Sequence, residues 1–484
     1  SSCAPNLYPT VLKVQTTIVS ISSQMGRGME TQTAHCLVLP FPTHGHLNPM
    51  TQFSTTLHRK GVEITLATTL YIAKNAQINA PSFINIETIS DGFDIGGPQE
   101  AESHEAYYTK FQQVGAETLG LLIEKLCRVG RPVDCIVYDA FLPWAVDVAK
   151  KFGLLSAVFL TQSSAVNNIY YHVHQGLLNL RPNGSDVMVN GLPPLELSDM
   201  PSYICDPESF PSLANMLLNQ FFNVDKVDWV LCNSFYELEE EVVDWMQKQL
   251  PLKTIGPAIP MMHTHKSIKF GTMHGFNVFK PRIEASMEWL NKRAEGSVVY
   301  VSFGGFADLR KEQMVEIAWG LRRSKRYFLW VVRATEEAKI PKNFMEDTLD
   351  QGLVVSWCPQ LEVLAHKAIG CFVTHTGWNS TLEAICSGIP LVAIPQGNDQ
   401  NTNAKFVADV WKVGVRAKPD HKGLVTQEVV QNCIMEVMKG GRENNVKERM
   451  AKWRELAIEA LGDGGSSDKN TNEFVENLVR SKSY

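Results

Sequence analysis

The chain reads as an α/β protein of two doubly wound domains, each a parallel sheet covered by helices, facing each other across a cleft. Three observations predict this. Short apolar, β-branched runs such as HCLVLPF, DCIVYDA and IGCFVTH recur at intervals that leave room for crossover helices, the pattern of buried parallel strands. The series pauses near Ile255-Gly256-Pro257 and restarts at SVVYVSFGG, so 484 residues divide into two domains of ordinary size. Polar side chains gather at the ends of several strands, where open α/β sheets hold ligands.

Taken in order, HCLVLPF is the opening strand and PTHGH the loop after it. Asn48 is the expected N-cap of the next helix, with Pro49 at its first position and Met50, Phe53 and Leu57 as its apolar stripe, stopped by Gly61. VEITLATT, INIETIS, LLSAVFLT and DWVLCNSF complete the strands of a first domain spanning 29–257. Residues 258–283, with MMHTHKSIKFGTMHG, lack periodicity and read as a linker or surface loop. The second domain, 284–463, contains SVVYVSFGG, YFLWVVR, GLVVSWC, IGCFVTH and IPLVAIP. Residues 464–484 carry a last amphipathic helix, NEFVENLVRS. Residues 1–28 have few charges and no small-residue cleavage site; they read as a disordered or artificially added extension before Met29, with a transit peptide as the alternative.

Lys and Arg total 45 against 51 acidic residues, a net charge of −6 without a long basic run, which argues against a nucleic-acid partner. Ten cysteines show no C-x-x-C pair or regular spacing, the usage of a reducing compartment. No apolar run approaches the roughly 18 residues of a membrane span. A cytoplasmic, monomeric enzyme is the expectation.

Chemistry concentrates between Trp357 and Gln400. His375-Thr376-Gly377 leads into a helix at Trp378-Asn379-Ser380, and the free N–H groups and dipole of such a helix start attract an anion such as a diphosphate. Glu383 lies one turn deeper on the face of Asn379. The run IPLVAIP ends at a turn that delivers Asp399-Gln400. Three polar strand ends together suit a nucleotide sugar. In the first domain His46 follows the first strand and can take a proton near neutral pH, while Asp139 closes DCIVYDA and would fix the imidazole tautomer. His44 reads as a loop side chain near the cleft. The pairs His44/His46, His172/His174 and His263/His265 lack a third ligand at zinc spacing, and no D-x-D triplet is present, so no metal or other cofactor is expected. The sequon at Asn183 matters only in a secretory compartment.

The stretch WCPQLEVLAHKAIGCFVTHTGWNSTLEAICSGIPLVAIPQGNDQ resembles the signature box of plant family 1 UDP-dependent glycosyltransferases. The likeness extends from about residue 33 to the end. It implies two Rossmann-like domains in the arrangement called GT-B, with 464–484 returning to the first domain. It places Trp357 on the uracil with Gln360 beside it. It puts His375, Asn379 and Ser380 on the diphosphate, Glu383 on the ribose, and Trp378, Asp399 and Gln400 on the sugar hydroxyls. Gly45, Thr161, Gly377, Ser302 and Gly305 complete the expected donor site. His46 becomes the catalytic base and Asp139 its partner. Gln400 implies UDP-glucose as co-substrate, and the reaction inverts its α-linkage to a β-glucoside. Expected acceptors are hydrophobic small molecules, bound around Phe141, Leu142, Trp144 and the stretch from Thr161 to Tyr171.

Two positions depart from the family pattern. Gly305 stands where S-F-G-S has a serine, and Gly397 where an aromatic residue is common. Loss of that side chain is expected to widen the cleft, which favours a steroid or triterpenoid alcohol over salicylate-like acids or flavonoids. A non-catalytic nucleotide-sugar binding protein would not need His46 and Asp139. A nicotinamide dehydrogenase would need a G-x-G-x-x-G after the first strand, and that motif is missing there.

Overall fold

A computed structural model describes residues 33–78, 80–178, 187–264, 267–270, 276–277, 283–305, 307–439 and 445–482. The 1–28 extension, the Asn183 sequon and His265 lie outside them.

The first domain holds a seven-stranded parallel sheet. Its strands are β1 (His35–Leu39), β2 (Glu63–Thr69), β3 (Asn85–Ile89), β4 (Cys135–Asp139), β5 (Leu155–Leu160), β6 (Trp229–Cys232) and β7 (Leu252–Thr254), in the order β3-β2-β1-β4-β5-β6-β7. The second holds a six-stranded parallel sheet of β8 (Val298–Ser302), β9 (Tyr327–Val331), β10 (Gly352–Val355), β11 (Ile369–Thr374), β12 (Leu391–Ala393) and β13 (Gly414–Arg416), ordered β10-β9-β8-β11-β12-β13. Each order reverses once, between β1 and β4 and between β8 and β11. At such a switch point the loops leave the sheet in opposite directions and open a crevice at the carboxyl ends of the strands.

Both faces of each sheet are buried, which is why these strands read as continuous apolar runs rather than alternating ones. In β1, Leu37 and Leu39 enter one cluster while Cys36 and Val38 enter another; in β8, Val298 and Tyr300 oppose Val299 and Val301. The Leu37 cluster also contains Tyr300, Phe372 and Trp378, so a single hydrophobic core runs from the first sheet through the interface to the second.

Four helices carry side chains to the cleft: α1 (His44–Arg59), α2 (Ser164–His174), α3 (Trp378–Ser387) and α4 (Gln400–Lys405). Helix α1 corrects the expected boundary. It begins at His44 with Thr43 as N-cap, and Pro49 lies inside it. The carbonyl of Thr43 already accepts from the N–H groups of His46 and Leu47, at 3.0 and 2.8 Å, so the helical turn closes before Asn48 is reached. Residues 258–283 also differ from a plain loop: Met261–Thr264 pairs antiparallel with Ser267–Phe270, and Phe276–Asn277 with Gln77–Ile78.

The chain ends in α5 (Val446–Leu461) and α6 (Ser466–Ser481), separated by a tight turn. A Cβ on Gly465 would fall 1.9 Å from the Glu459 carbonyl oxygen, so only glycine fits there. Helix α6 lies on the first domain. Phe474 packs against Phe53 and Trp229, Ser467 Oγ donates to the Gly256 carbonyl at 2.6 Å, and Lys60 pairs with Asp468 at 2.5 Å.

Candidate active site

The two switch points face each other. On the first domain, His46 stands in the first turn of α1 and Asp139 ends β4, its carboxylate fully buried. Nδ1 of His46 donates to Asp139 Oδ2 at 2.7 Å, and Asp139 Oδ1 accepts from the Phe141 N–H at 2.9 Å. Because a carboxylate only accepts, it holds the proton on Nδ1 and leaves Nε2 as the basic nitrogen. Thr161 Oγ1 lies 3.3 Å from the same Nδ1. The rings of Phe141 and Phe41 flank the imidazole at 4.6 and 5.7 Å, with Tyr108 beside Phe41.

On the second domain, α3 starts at Trp378 with Gly377 as N-cap, so the unpaired N–H groups of its first turn point out of the β11 end. His375 sits at that end with its pKa lowered to about 4 by desolvation, so it is a neutral imidazole at neutral pH. Burial raises Glu383 to about 7, partly offset by Gln360, whose Nε2 donates to Glu383 Oε2 at 2.6 Å and lies 3.0 Å from Ser380 Oγ. Tyr300 orients that amide by donating to its Oε1 at 3.1 Å. Asp399 is raised by burial to about 6, while Asn403 and the charge of His46 act to lower it. The nearby Gln400 Oε1 accepts from the Gln396 N–H at 2.7 Å. Ser302 is buried at the end of β8, and the Gly305 carbonyl accepts from Arg333 at 2.7 Å.

Among the bonds that join the halves, one lies next to His46. Pro49 has no N–H, so the Gly45 carbonyl four residues earlier lacks its helical donor. Asn379 Nδ2 takes that place from across the cleft, at 2.8 Å. Among the described residues no group of three or more His, Cys, Asp or Glu gathers as a metal site, and no helix is long and apolar enough to cross a membrane.

The family model described as UDP-glucoronosyl and UDP-glucosyl transferase matches residues 257–452. Mogroside I-E synthase of Siraitia grosvenorii is 43% identical over 453 residues, covering 93% of this chain and 99% of that protein. Flavonol 7-O-beta-glucosyltransferase UGT74F1 of Arabidopsis thaliana is 44% identical, with the same coverage of 93% and 99%. The chain belongs to the plant family 1 UDP-glycosyltransferases. The crystal structure of Os79 from O. sativa in complex with UDP matches its fold with a TM-score of 0.85 at 38% identity, covering 92% of this chain and 100% of that one.

In this glycosyltransferase several side chains stand elsewhere than the sequence suggests. The Trp378 indole does not reach toward a sugar. It is buried between the domains, its Nε1 donating to the Asn233 carbonyl at 2.7 Å and its ring 6.1 Å from Trp411, which leaves its backbone N–H as the group it offers the cleft. Leu142 and Trp144 belong to the hydrophobic core rather than to the ring group beside His46: both are buried, and Trp144 packs edge-on against Phe111 at 5.7 Å. Most of 161–171 is likewise interior: Tyr171 packs on Phe221 and Trp245. Within the stretch, Thr161 touches the base and Tyr170 reaches Asn398.

Gly397 opens no extra space either. A Cβ there would lie 3.3 Å from Ser202 Oγ, so a first-domain residue already occupies the place the missing side chain was expected to vacate. His44 Nδ1 is buried without a hydrogen bond, and burial lowers its pKa. His172 is also core, stacked on Trp245 at 4.3 Å. Sequence reasoning passes over Phe41, Tyr108, Tyr300 and the Pro49–Gly45 relation. Only the last has a signal, a proline four residues after a glycine carbonyl.

Proposed function

We propose that this glycosyltransferase is an inverting, UDP-glucose-dependent enzyme acting on a hydroxyl of a hydrophobic small molecule. The observation that carries the reading is the 2.7 Å His46–Asp139 bond placed opposite the start of α3. Nε2 of His46 takes the acceptor proton as the acceptor oxygen attacks the anomeric carbon from the face away from UDP. The bond from that carbon to the diphosphate breaks and UDP leaves with the electron pair. Asp139 stabilises the imidazolium that results. The first-turn N–H groups of α3, neutral His375, Asn379 and Ser380 carry the diphosphate, which gives the leaving charge donors already in place without assigning it a metal. Trp357 stacks on the base, Glu383 accepts from the ribose hydroxyls, and Asp399 and Gln400 hold the glucose.

For the acceptor we favour a terpenoid or steroid alcohol. The aromatic group of Phe41, Phe141 and Tyr108 beside the base suits a rigid apolar ring system, and a relative of 43% identity is named a mogroside synthase. A flavonol is the second reading, supported by the name of the 44% identical relative. The test is UDP release from a panel of UDP-sugars with a triterpenoid, a steroid, a flavonol and salicylate. Fastest turnover of UDP-glucose with a triterpenoid or steroid supports the proposal. A salicylate preference overturns the acceptor assignment, and no turnover of any acceptor overturns the enzyme reading.

The ribose role of Glu383 has a pH signature. A carboxylate whose pKa is about 7 when the site is free is half protonated at neutral pH, and it must be ionised to accept from two hydroxyls. UDP-glucose binding therefore releases a proton near neutrality, and affinity weakens as pH falls through about 7. Calorimetry at about pH 7.5 in buffers of different ionisation enthalpy should show this release in the wild type and little of it in Glu383→Gln, because Asp399, at about 6, is already ionised there. A pH-independent affinity between about pH 6 and 8 would remove the role.

A further inference from the structure

The turn that delivers Asp399 and Gln400 is held from the opposite domain. Gly397 and Asn398 have successive positive φ angles, 143° and 55°. The second is left-handed, a conformation that asparagine tolerates better than other non-glycine residues, and contacts from the first domain hold it. The Asn398 N–H donates to Ser202 Oγ at 2.6 Å, the Ser202 N–H donates back to the Asn398 carbonyl at 3.0 Å, and the Tyr170 hydroxyl donates to Asn398 Oδ1 at 3.3 Å. Tyr170 is fully buried in α2, and its hydroxyl also meets the side chain of Gln162.

The same first-domain segment continues to α4 and β13: the Asp199 carbonyl accepts from Thr402 in α4 at 2.7 Å, and its carboxylate accepts from Arg416 in β13 at 2.5 Å. Segment and turn are therefore fixed to each other over several bonds. Glycine at 397 eases the approach, since a Cβ would lie 3.3 Å from Ser202 Oγ on a backbone angle that side chains rarely adopt.

We infer that Ser202 and Tyr170, both in the acceptor domain, are positioning residues that set donor-sugar selectivity by fixing the Asn398 turn and, through it, the placement of Asp399 and Gln400. The inference rests on the reading of Asp399 and Gln400 as the sugar-holding pair. Discrimination between epimeric hexoses depends on where hydrogen-bonding groups stand relative to one hydroxyl, so a turn released by a few tenths of an ångström loses selectivity before it loses binding. The uracil and diphosphate groups lie on other elements, at Trp357 and the start of α3; the link to the turn there runs through Thr376, whose Oγ1 donates to the Gln400 carbonyl at 3.2 Å, within the second domain and apart from Ser202 and Tyr170.

The experiment compares kcat/KM for UDP-glucose and UDP-galactose in the wild type, Ser202→Ala, Ser202→Thr and Tyr170→Phe. UDP affinity is measured by calorimetry and folding by thermal melt for each. Ser202→Ala and Tyr170→Phe should each narrow the sugar preference about three- to tenfold, the effect of one hydrogen bond, with UDP affinity unchanged, and Ser202→Thr should restore it. An unchanged preference in both folded variants overturns the inference. So does a loss of UDP affinity in step with the preference, which would make the contact a general domain clamp. A wild type that favours UDP-galactose would defeat the UDP-glucose reading alone, because the variants would still narrow whichever preference the wild type has.

Discussion

Replacing His46 with alanine is expected to lower kcat for an alcohol acceptor by about 10²- to 10⁴-fold, the usual share of a positioned general base, while UDP-glucose affinity stays nearly the same. The reason is local. Nδ1 is committed to Asp139, so Nε2 is the nitrogen free to take the proton, and none of the bonds within the α3 site passes through the imidazole. Asp139→Asn should cost less than His46→Ala, because the amide preserves contact with the ring but can present an N–H to Nδ1 and favour the wrong tautomer. The measurement is steady-state kinetics with calorimetry for UDP-glucose on the same preparations. Retention of most turnover by His46→Ala would remove the base from the mechanism. An acceptor already ionised at assay pH should lose far less, and that contrast separates proton abstraction from simple crowding of the cleft.

The second large effect concerns Trp378, and it falls on stability. Its indole fills the core shared by the two domains and donates to the Asn233 carbonyl, so Trp378→Ala should cost about 3–5 kcal/mol and lower the melting temperature by roughly 10 °C. Trp378→Phe keeps one aromatic ring but loses the 2.7 Å hydrogen bond and part of the indole volume, which leaves the Asn233 carbonyl unpaired beside a small void and costs about 1–3 kcal/mol. The KM for UDP-glucose in the phenylalanine variant should stay within about twofold of the wild type, since the backbone N–H at the start of α3 is retained. A large KM increase without a drop in melting temperature would place the indole on the sugar instead.

Much of the fold is legible because parallel strands buried on both faces announce themselves as apolar runs. HCLVLPF, DCIVYDA and IGCFVTH contain β1, β4 and β11 within a residue or two of their ends. Strands β7 and β13 escape notice because each is three residues long and is broken by or flanked with Lys and Arg, whereas the equally short β12 lies inside the apolar run IPLVAIP. The start of α1 misleads for a different reason. Asn48-Pro49 is a helix-start signal by composition, yet the turn at Thr43 has already closed, and the proline's cost is offset by a donor from the other domain that no local pattern can show. The box positions can be named from sequence, whereas side-chain direction cannot. Trp378 and Trp144 are aromatic residues beside a cleft in sequence and core residues in space. Gly397 shows the same limit from the other side, since a missing side chain implies room only if nothing else, here Ser202, moves in.

The anomeric configuration of the product reports whether the acceptor attacks the sugar directly with His46 as base. In a single displacement assisted by His46, the acceptor oxygen enters opposite the departing diphosphate, so an α-linked UDP-glucose must yield a β-glucoside. The anomeric proton of the product, followed by NMR during turnover before any equilibration, reports this through its coupling to the neighbouring ring proton. A large diaxial coupling from the first product formed is the result expected. A small coupling, marking an α-glucoside with retained configuration, would contradict direct attack and with it the assignment of His46 as the base.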